Sequence, residues 1–358
     1  MKYQYWLSNV LLSNAKKERL VQEMGSARDC FFMTEQVLDK IEWLSEEEKE
    51  RLLESRKTWK VEEAFYRMGE QGICFTSIEE PNYPQRLREI HDKPYALFFR
   101  GRLPAENRLT VAFVGARRCS EYGKGVSKHF AALFAAAGVQ VVSGMALGVD
   151  SCAHLGALEE EKDTYAVLGC GVDICYPKSA STIYEKIPNH GGILSEYPPG
   201  TQPVARNFPI RNRIISGLSD LVIVVEAKKK SGSLITADFA LEQGKEVYAV
   251  PGRITDPLSS GTNRLISQGA GILLSFEDLL SSLKLDIPIF HGKVGKIENA
   301  LEKEELMVYA SLDLLPKSLE ELQSKTGLSL SKLREILWKL SEMELIHENF
   351  PNFFGRRY

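Results

Sequence analysis

The chain has 358 residues, 44% of them hydrophobic and 26% charged, with a net charge of −3. That balance excludes a disordered chain and allows two or three domains with a sizeable core. Near-neutrality also removes bulk charge as an argument for a nucleic-acid partner, which must then rest on local patches.

No apolar run approaches the length needed to span a bilayer, and the N-terminus MKYQYWLSNV lacks a signal-peptide core. The expectation is a cytoplasmic protein with no membrane partner. The six cysteines, at 30, 74, 119, 152, 170 and 175, include no C-x-x-C pair, so they read as buried free thiols rather than a zinc site.

In chain order, residues 1–75 carry helical periodicity, with Trp6, Leu7, Val10 and Leu11 as one apolar stripe and a charged helix from Glu47 to Trp59. Pro81-Asn82-Tyr83-Pro84 punctuates the chain, and Ala96-Leu97-Phe98-Phe99 is extended. From Leu109 strand and helix alternate. Strands are expected near 109–114, 139–143, 164–168, 221–226 and 246–250, and helices near 123–137, 150–160, 210–217 and 234–243. Such βα units imply an α/β fold with a mostly parallel sheet, which binds ligands at the carboxyl ends of its strands.

Those ends carry glycine and polar residues. The first strand runs into Gly115-Ala116-Arg117-Arg118 and the second into Gly144 to Asp150. The central run Leu221 to Val225 delivers Lys228, Lys229 and Lys230, then Ser231-Gly232-Ser233 and a helical pattern from Leu234. A small polar loop before a helix N-terminus is an anion site, because free amides and the helix dipole both favour negative charge. From Thr201 to Ile235 there are six basic residues (Arg206, Arg211, Arg213 and the lysines) against Asp220 and Glu226. A lysine triplet alone is a solvated loop, and one glycine alone is a turn; several on one edge make an anion-binding rim. Phe208, between Arg206 and Arg211, is the aromatic placed to stack a base.

Catalytic fingerprints are missing. There is no Walker loop, no G-x-G-x-x-G opening a helix after the first strand and no G-x-S-x-G. Asp150 and His154, one helical turn apart, lack further ligands; they read as a helix N-cap and a packed polar contact. The expectation is a non-enzymatic protein needing neither cofactor nor metal.

After a linker at 286–295, residues 296–358 read as helix, helix-turn-helix and hairpin, a winged helix. Ser318 to Glu321 is a capping box, Gly327 the turn and Ser329 to Met343 the third helix. Nine basic against eleven acidic residues there favour a protein contact or autoregulation over reading of duplex DNA.

The segments VGARRCSEYG (114–123), SGMALGVDSCAH (143–154), VLGCGVDICYP (167–177), SEYPPG (195–200), NFPIRNRIISGLS (207–219) and VVEAKKKSGSLITADFALEQG (224–244), then VPG (250–252), resemble the DNA-processing protein A (DprA/Smf) family. PNYPQRLREIHDKPYALFFRG (81–101) extends the resemblance, which is strong from about 80 to 280. It implies a helical N-terminal module (1–75), an extended Rossmann-like DNA-binding domain (76–285) and a winged helix (296–358). It also implies binding and protection of single-stranded DNA, loading of RecA during natural transformation, and homodimerisation. Carried over by position, Arg117 matches a phosphate-contacting arginine and Lys178 falls near a basic position used for DNA. Arg206, Phe208, Arg211 and Arg213 surround the FP-x-RNR segment. Leu147 stands where the family commonly has arginine, so one cationic contact is lost. A rival enzyme reading comes from the Ser231-Gly232-Ser233 to Thr236 loop, which also resembles LOG-like phosphoribohydrolases and would use Glu226 with Arg117. A second rival is a ligand-sensing regulator that applies the winged helix to duplex DNA.

Overall fold

The computed structural model describes residues 1–58, 60–284, 301–312, 316–343 and 345–356, so the expected linker lies outside the described residues. The chain opens with helices α1 (Lys2–Asn9), α2 (Asn14–Met24), α3 (Ala27–Phe32), α4 (Glu35–Asp39), α5 (Glu46–Thr58) and α6 (Val61–Glu70). Ser13, Ser26 and Thr34 cap α2, α3 and α4 through side-chain oxygens, satisfying backbone donors the helices leave open. Trp6, Leu7 and Val10 are buried as the stripe predicts, but Leu11 is 75% exposed because α1 ends at Asn9. These helices share one core with the sheet edge: Tyr5 and Trp6 join Phe75, Phe98 and Ile193 in a continuous apolar cluster.

Strands β1 (Cys74–Ser77) and β2 (Ala96–Gly101) flank the short helix α7 (Gln85–Arg88). Then β3 (Thr110–Val114), α8 (Glu121–Ala136), β4 (Gln140–Ser143), α9 (Val149–Glu159), β5 (Thr164–Val167), α10 (Ser181–His190) and β6 (Gly192–Ser195) alternate. They are followed by α11 (Asn207–Leu218), β7 (Leu221–Val224), α12 (Gly232–Glu242), β8 (Glu246–Ala249), α13 (Ser260–Ser267), β9 (Gly271–Ile272) and α14 (Phe276–Ser282). The nine-stranded sheet has the order β1-β2-β6-β5-β4-β3-β7-β8-β9. It is parallel from β6 to β9, and β2 pairs antiparallel with both β1 and β6.

Successive residues of β3 serve opposite faces, as the pleat dictates. Val111 and Phe113 pack with residues of α8, α9 and α14, while Ala112 and Val114 pack with residues of α11 and α12. Both faces of the central strands are therefore covered, which explains their uninterrupted apolar sequence. From β3 the chain winds one way to β6, then crosses back to place β7 on the other side of β3. That reversal opens a crevice at the carboxyl ends of β3 and β7.

Strand β6 is absent from the sequence-based expectation. Gly191 and Gly192 stand at its start, where close strand contact requires them. A Cβ on Gly192 would lie 2.1 Å from the Arg102 carbonyl oxygen, and one on Gly191 2.0 Å from that of Thr164. The thiols also differ from expectation, since Cys30 and Cys170 are buried but Cys74 is exposed.

The C-terminal region has its own core of Val308, Leu322, Leu333, Leu337, Leu340 and Ile346. Its element order is helix Lys303–Ser311, strand β10 (Lys317–Ser318), helices Leu319–Thr326 and Leu330–Glu342, and the hairpin β11 (Ile346–Phe350) with β12 (Phe353–Arg356). The strands pair as β10-β12-β11. Ser318 and Glu321 form the expected reciprocal capping box, and Gly327 turns the chain at φ 70°. Among the described residues, no helix is long and apolar enough to cross a membrane.

Candidate nucleic-acid interface

At the reversal point lies a cavity of about 360 Å3. Its apolar wall is made by Val114, Ala146, Pro209 and Ile215, and its polar residues include Arg117, Asp150, Arg211 and Lys230. Ser231, Gly232, Ser233 and Thr236, the opening turn of α12, form its lip. Ser231 is the N-cap, accepting the Ser233 N–H at 3.4 Å, and the eleven-residue helix behind it presents the positive end of its dipole. The Asn212 amide ties α11 to this turn by donating to the Gly232 carbonyl at 3.2 Å.

The loops that make the rim are held by close contacts. Gly148 sits at φ 79°, and a Cβ there would meet the Ala116 carbonyl oxygen at 2.4 Å. Only glycine lets the loop after β4 pass so near the loop that carries Arg117. The latter loop is anchored by Glu226, 2% exposed, whose carboxylate accepts the Ser120 N–H at 2.8 Å and the Ser120 hydroxyl. Ser120 in turn caps α8.

At the mouth three side chains stack. The Arg117 guanidinium carbon lies 5.5 Å from the Phe208 ring centroid, and Phe208 lies 5.4 Å from the Tyr176 ring at an interplanar angle of 26°. Tyr176 is 40% exposed, so the stack has an open aromatic face beside a cation. That is the combination a nucleobase and its phosphate require.

Deeper in, Arg211 is buried, donating from Nη1 to the carbonyls of Gly144 (2.7 Å) and Val167 at the ends of β4 and β5. Asp150 faces the same space and accepts the Ala146 N–H at 3.3 Å. Burial pushes the Asp150 carboxyl up to about 6 against the opposing pull of Arg211. Burial likewise lowers the Arg211 guanidinium to about 10, with Asp150 countering.

Of the residues expected from sequence, Gly115, Arg117, Phe208, Arg211, Lys230, Ser231, Gly232 and Ser233 line the cavity. Arg118, Lys178, Arg206, Lys228 and Lys229 do not line it; they are exposed. Arg213 is a correction: it is 3% exposed and turned away, bidentate to Glu196 at 2.7 Å for both bonds and donating to the Asp92 carbonyl at 2.6 Å. Residues two apart on a helix point about 200° from each other, so Arg211 and Arg213 cannot share a face.

Asp150 is a second correction. Gly148 occupies the N-cap position of α9, and Asp150 sits in its first turn facing the cavity. His154 does not join it: its Nδ1 is 2.7 Å from the Thr164 hydroxyl, inside the protein. No cluster of His, Cys, Asp or Glu suited to a metal occurs among the described residues.

Fold and site together define a doubly wound α/β protein whose switch-point crevice gathers a helix N-terminus, basic side chains and stacked aromatic rings. The family described as DNA recombination-mediator protein A matches residues 74–284. The DNA processing protein DprA of Streptococcus pneumoniae is 45% identical over 209 residues, which is 58% of this chain and 73% of that protein. Its Bacillus subtilis counterpart is 42% identical over 215 residues, 60% and 72% of the two chains. Among solved structures, DprA from S. pneumoniae matches with a TM-score of 0.69 at 36% identity, covering 78% of this chain and 97% of that one. A Helicobacter pylori DNA processing protein A, studied for its single-stranded DNA binding mode, matches with a TM-score of 0.53 at 32% identity, covering 60% and 97%. The chain belongs to the DNA recombination-mediator protein A family.

Proposed function

We propose that this chain binds single-stranded DNA along the crevice edge, protects incoming strands during natural transformation and loads RecA on them, acting as a homodimer. The observation that carries the reading is the Tyr176–Phe208–Arg117 stack at the mouth of a cavity lipped by the N-terminus of α12. Bases stack on the open aromatic face, while Arg117, Lys230 and the amides of the Ser231–Ser233 turn hold phosphates. Arg118, Lys178, Arg206, Lys228 and Lys229 supply outer, sequence-independent attraction. The single-strand binding of the H. pylori relative supports the same substrate here.

The phosphoribohydrolase reading loses its acid: Glu226 is buried beneath α8, holding Ser120, and does not line the cavity. The regulator reading is weakened, because Lys332 and Lys339 of the helix Leu330–Glu342 are paired with Glu335 and Glu305, which leaves Arg334 as the exposed cation of that helix with no ion pair among the described residues.

The test is binding of a labelled oligothymidine with duplex of equal length as competitor, followed by RecA filament assembly on strands pre-coated with a single-strand-binding protein. Preferential single-strand binding with faster RecA assembly supports the proposal. Equal binding of duplex contradicts the substrate, and unchanged RecA assembly contradicts the loading role.

A further inference from the structure

The floor of the cavity holds an opposed donor and acceptor that the stack and the phosphate lip leave unexplained. Arg211 is 4% exposed and Asp150 7% exposed, and both line the cavity. A Cβ on Gly144 would meet Arg211 Nη2 at 2.7 Å and Asp150 Oδ2 at 2.8 Å, so the two groups stand side by side. They form no ion pair among the described residues. Arg211 uses Nη1 for the Gly144 and Val167 carbonyls and Nε for Asn212 Oδ1 at 3.2 Å. Asp150 uses Oδ2 for the Ala146 N–H, and the Gly144 amide also acts on its carboxylate. No hydrogen bond among the described residues uses Arg211 Nη2 or Asp150 Oδ1. A donor and an acceptor left unused beside a cavity are available to a ligand that enters it.

We propose that Arg211 Nη2 and Asp150 Oδ1 read the Watson–Crick edge of one unpaired nucleobase, as a donor beside an acceptor. This rests on the single-strand reading above and assigns specificity to these two residues. A phosphate is the poorer occupant, since the Asp150 carboxylate opposes it and the lip already offers amides and Lys230. A flat ring fits the apolar wall of Val114, Ala146 and Ile215. Every DNA base presents the complementary pair: adenine N6–H beside N1, cytosine N4–H beside N3, guanine N1–H beside O6, thymine N3–H beside O4. The pair therefore accepts any sequence, yet rejects a base whose edge is already engaged in a duplex. It distinguishes pairing state, not base identity.

The experiment compares labelled oligothymidine with the same strand made of N3-methylthymidine, which keeps charge, ring and stacking but lacks the N3–H donor. Wild type is expected to bind the methylated strand about tenfold more weakly, the loss of one hydrogen bond to a charged group. In Asp150→Ala the ratio of the two affinities should fall to about one, whatever that substitution does to absolute affinity. Equal binding of both strands by wild type overturns the inference, as does full discrimination in the variant. If Asp150→Ala does not fold, the wild-type comparison still decides. Failure of wild type to bind either strand would instead defeat the single-strand reading itself, so the two failures are distinct.

Discussion

The crevice rim and the helix Leu330–Glu342 both gather basic residues, but they hold them differently. At the rim, Arg117, Arg118, Lys178, Arg206 and Lys228 to Lys230 form no ion pair among the described residues; Arg117 and Lys230 line the cavity and the others stand exposed outside it. On the C-terminal helix, Lys332 lies 3.2 Å from Glu335 and Lys339 is paired with Glu305, so of its three cations only Arg334 has no ion pair among the described residues. Its exposed face instead shows Leu330 and Trp338, the latter 68% exposed. The lesson is that counting cations does not count the cations free to neutralise phosphate.

Within α11 the same contrast recurs over two residues. Arg213→Met strands the Glu196 carboxylate in a buried site, and removing one partner of such a pair costs about 3–5 kcal/mol. Denaturant unfolding should show that loss, while the salt dependence of DNA binding by the folded fraction stays unchanged. A reduced salt slope would return Arg213 to the DNA interface.

Asp150 gives the next effect. Its carboxyl is raised from 3.8 to about 6, so the folded state holds the proton more tightly than the unfolded chain. Its contribution to stability is greatest below about pH 4 and falls as pH rises through about 6, by roughly 3 kcal/mol at most. Arg211 and Arg117, which face it, limit the fall. Asp150→Asn should flatten that stretch of the stability profile; an unchanged profile would mean that the carboxyl is not perturbed.

Phe208→Ala removes the middle of the stack and should weaken oligothymidine binding by about 1–3 kcal/mol without changing the salt slope. Smallest of all, Lys332→Ala and Lys339→Ala should leave affinity within about 0.5 kcal/mol, since both are surface-paired. Titration of each variant against wild type across a salt series checks both statements.

Much of this was readable in the chain. The β-branched run Leu221 to Val225 announces a doubly covered strand, and Ser231-Gly232-Ser233 before a helical pattern announces an anion lip. Three features were hidden for physical reasons. Placing the start of α11 at residue 210 instead of Asn207 obscured which face holds Phe208 and Arg211, so Arg213 was grouped with them. Asp150 reads as a cap because first-turn acids usually serve that end, and only the packing of α11 across β4 and β5 shows it opposite a buried guanidinium. Glycines that permit close strand contact, as at Gly192, cannot be told from turn glycines without the neighbouring strand.

The central claim is that DNA affinity resides in the free cations of the crevice rim. The most direct test is the salt dependence of oligothymidine binding for wild type, Arg117→Ala, the Lys228/Lys229/Lys230→Ala triple variant and a truncation ending at Lys284. Each lost phosphate contact should reduce the slope by about 0.7, so both substituted proteins should show shallower slopes while the truncation keeps the wild-type value. A full slope in Arg117→Ala and the triple variant, with loss of binding in the truncation, would contradict the account and move the interface to the C-terminal region.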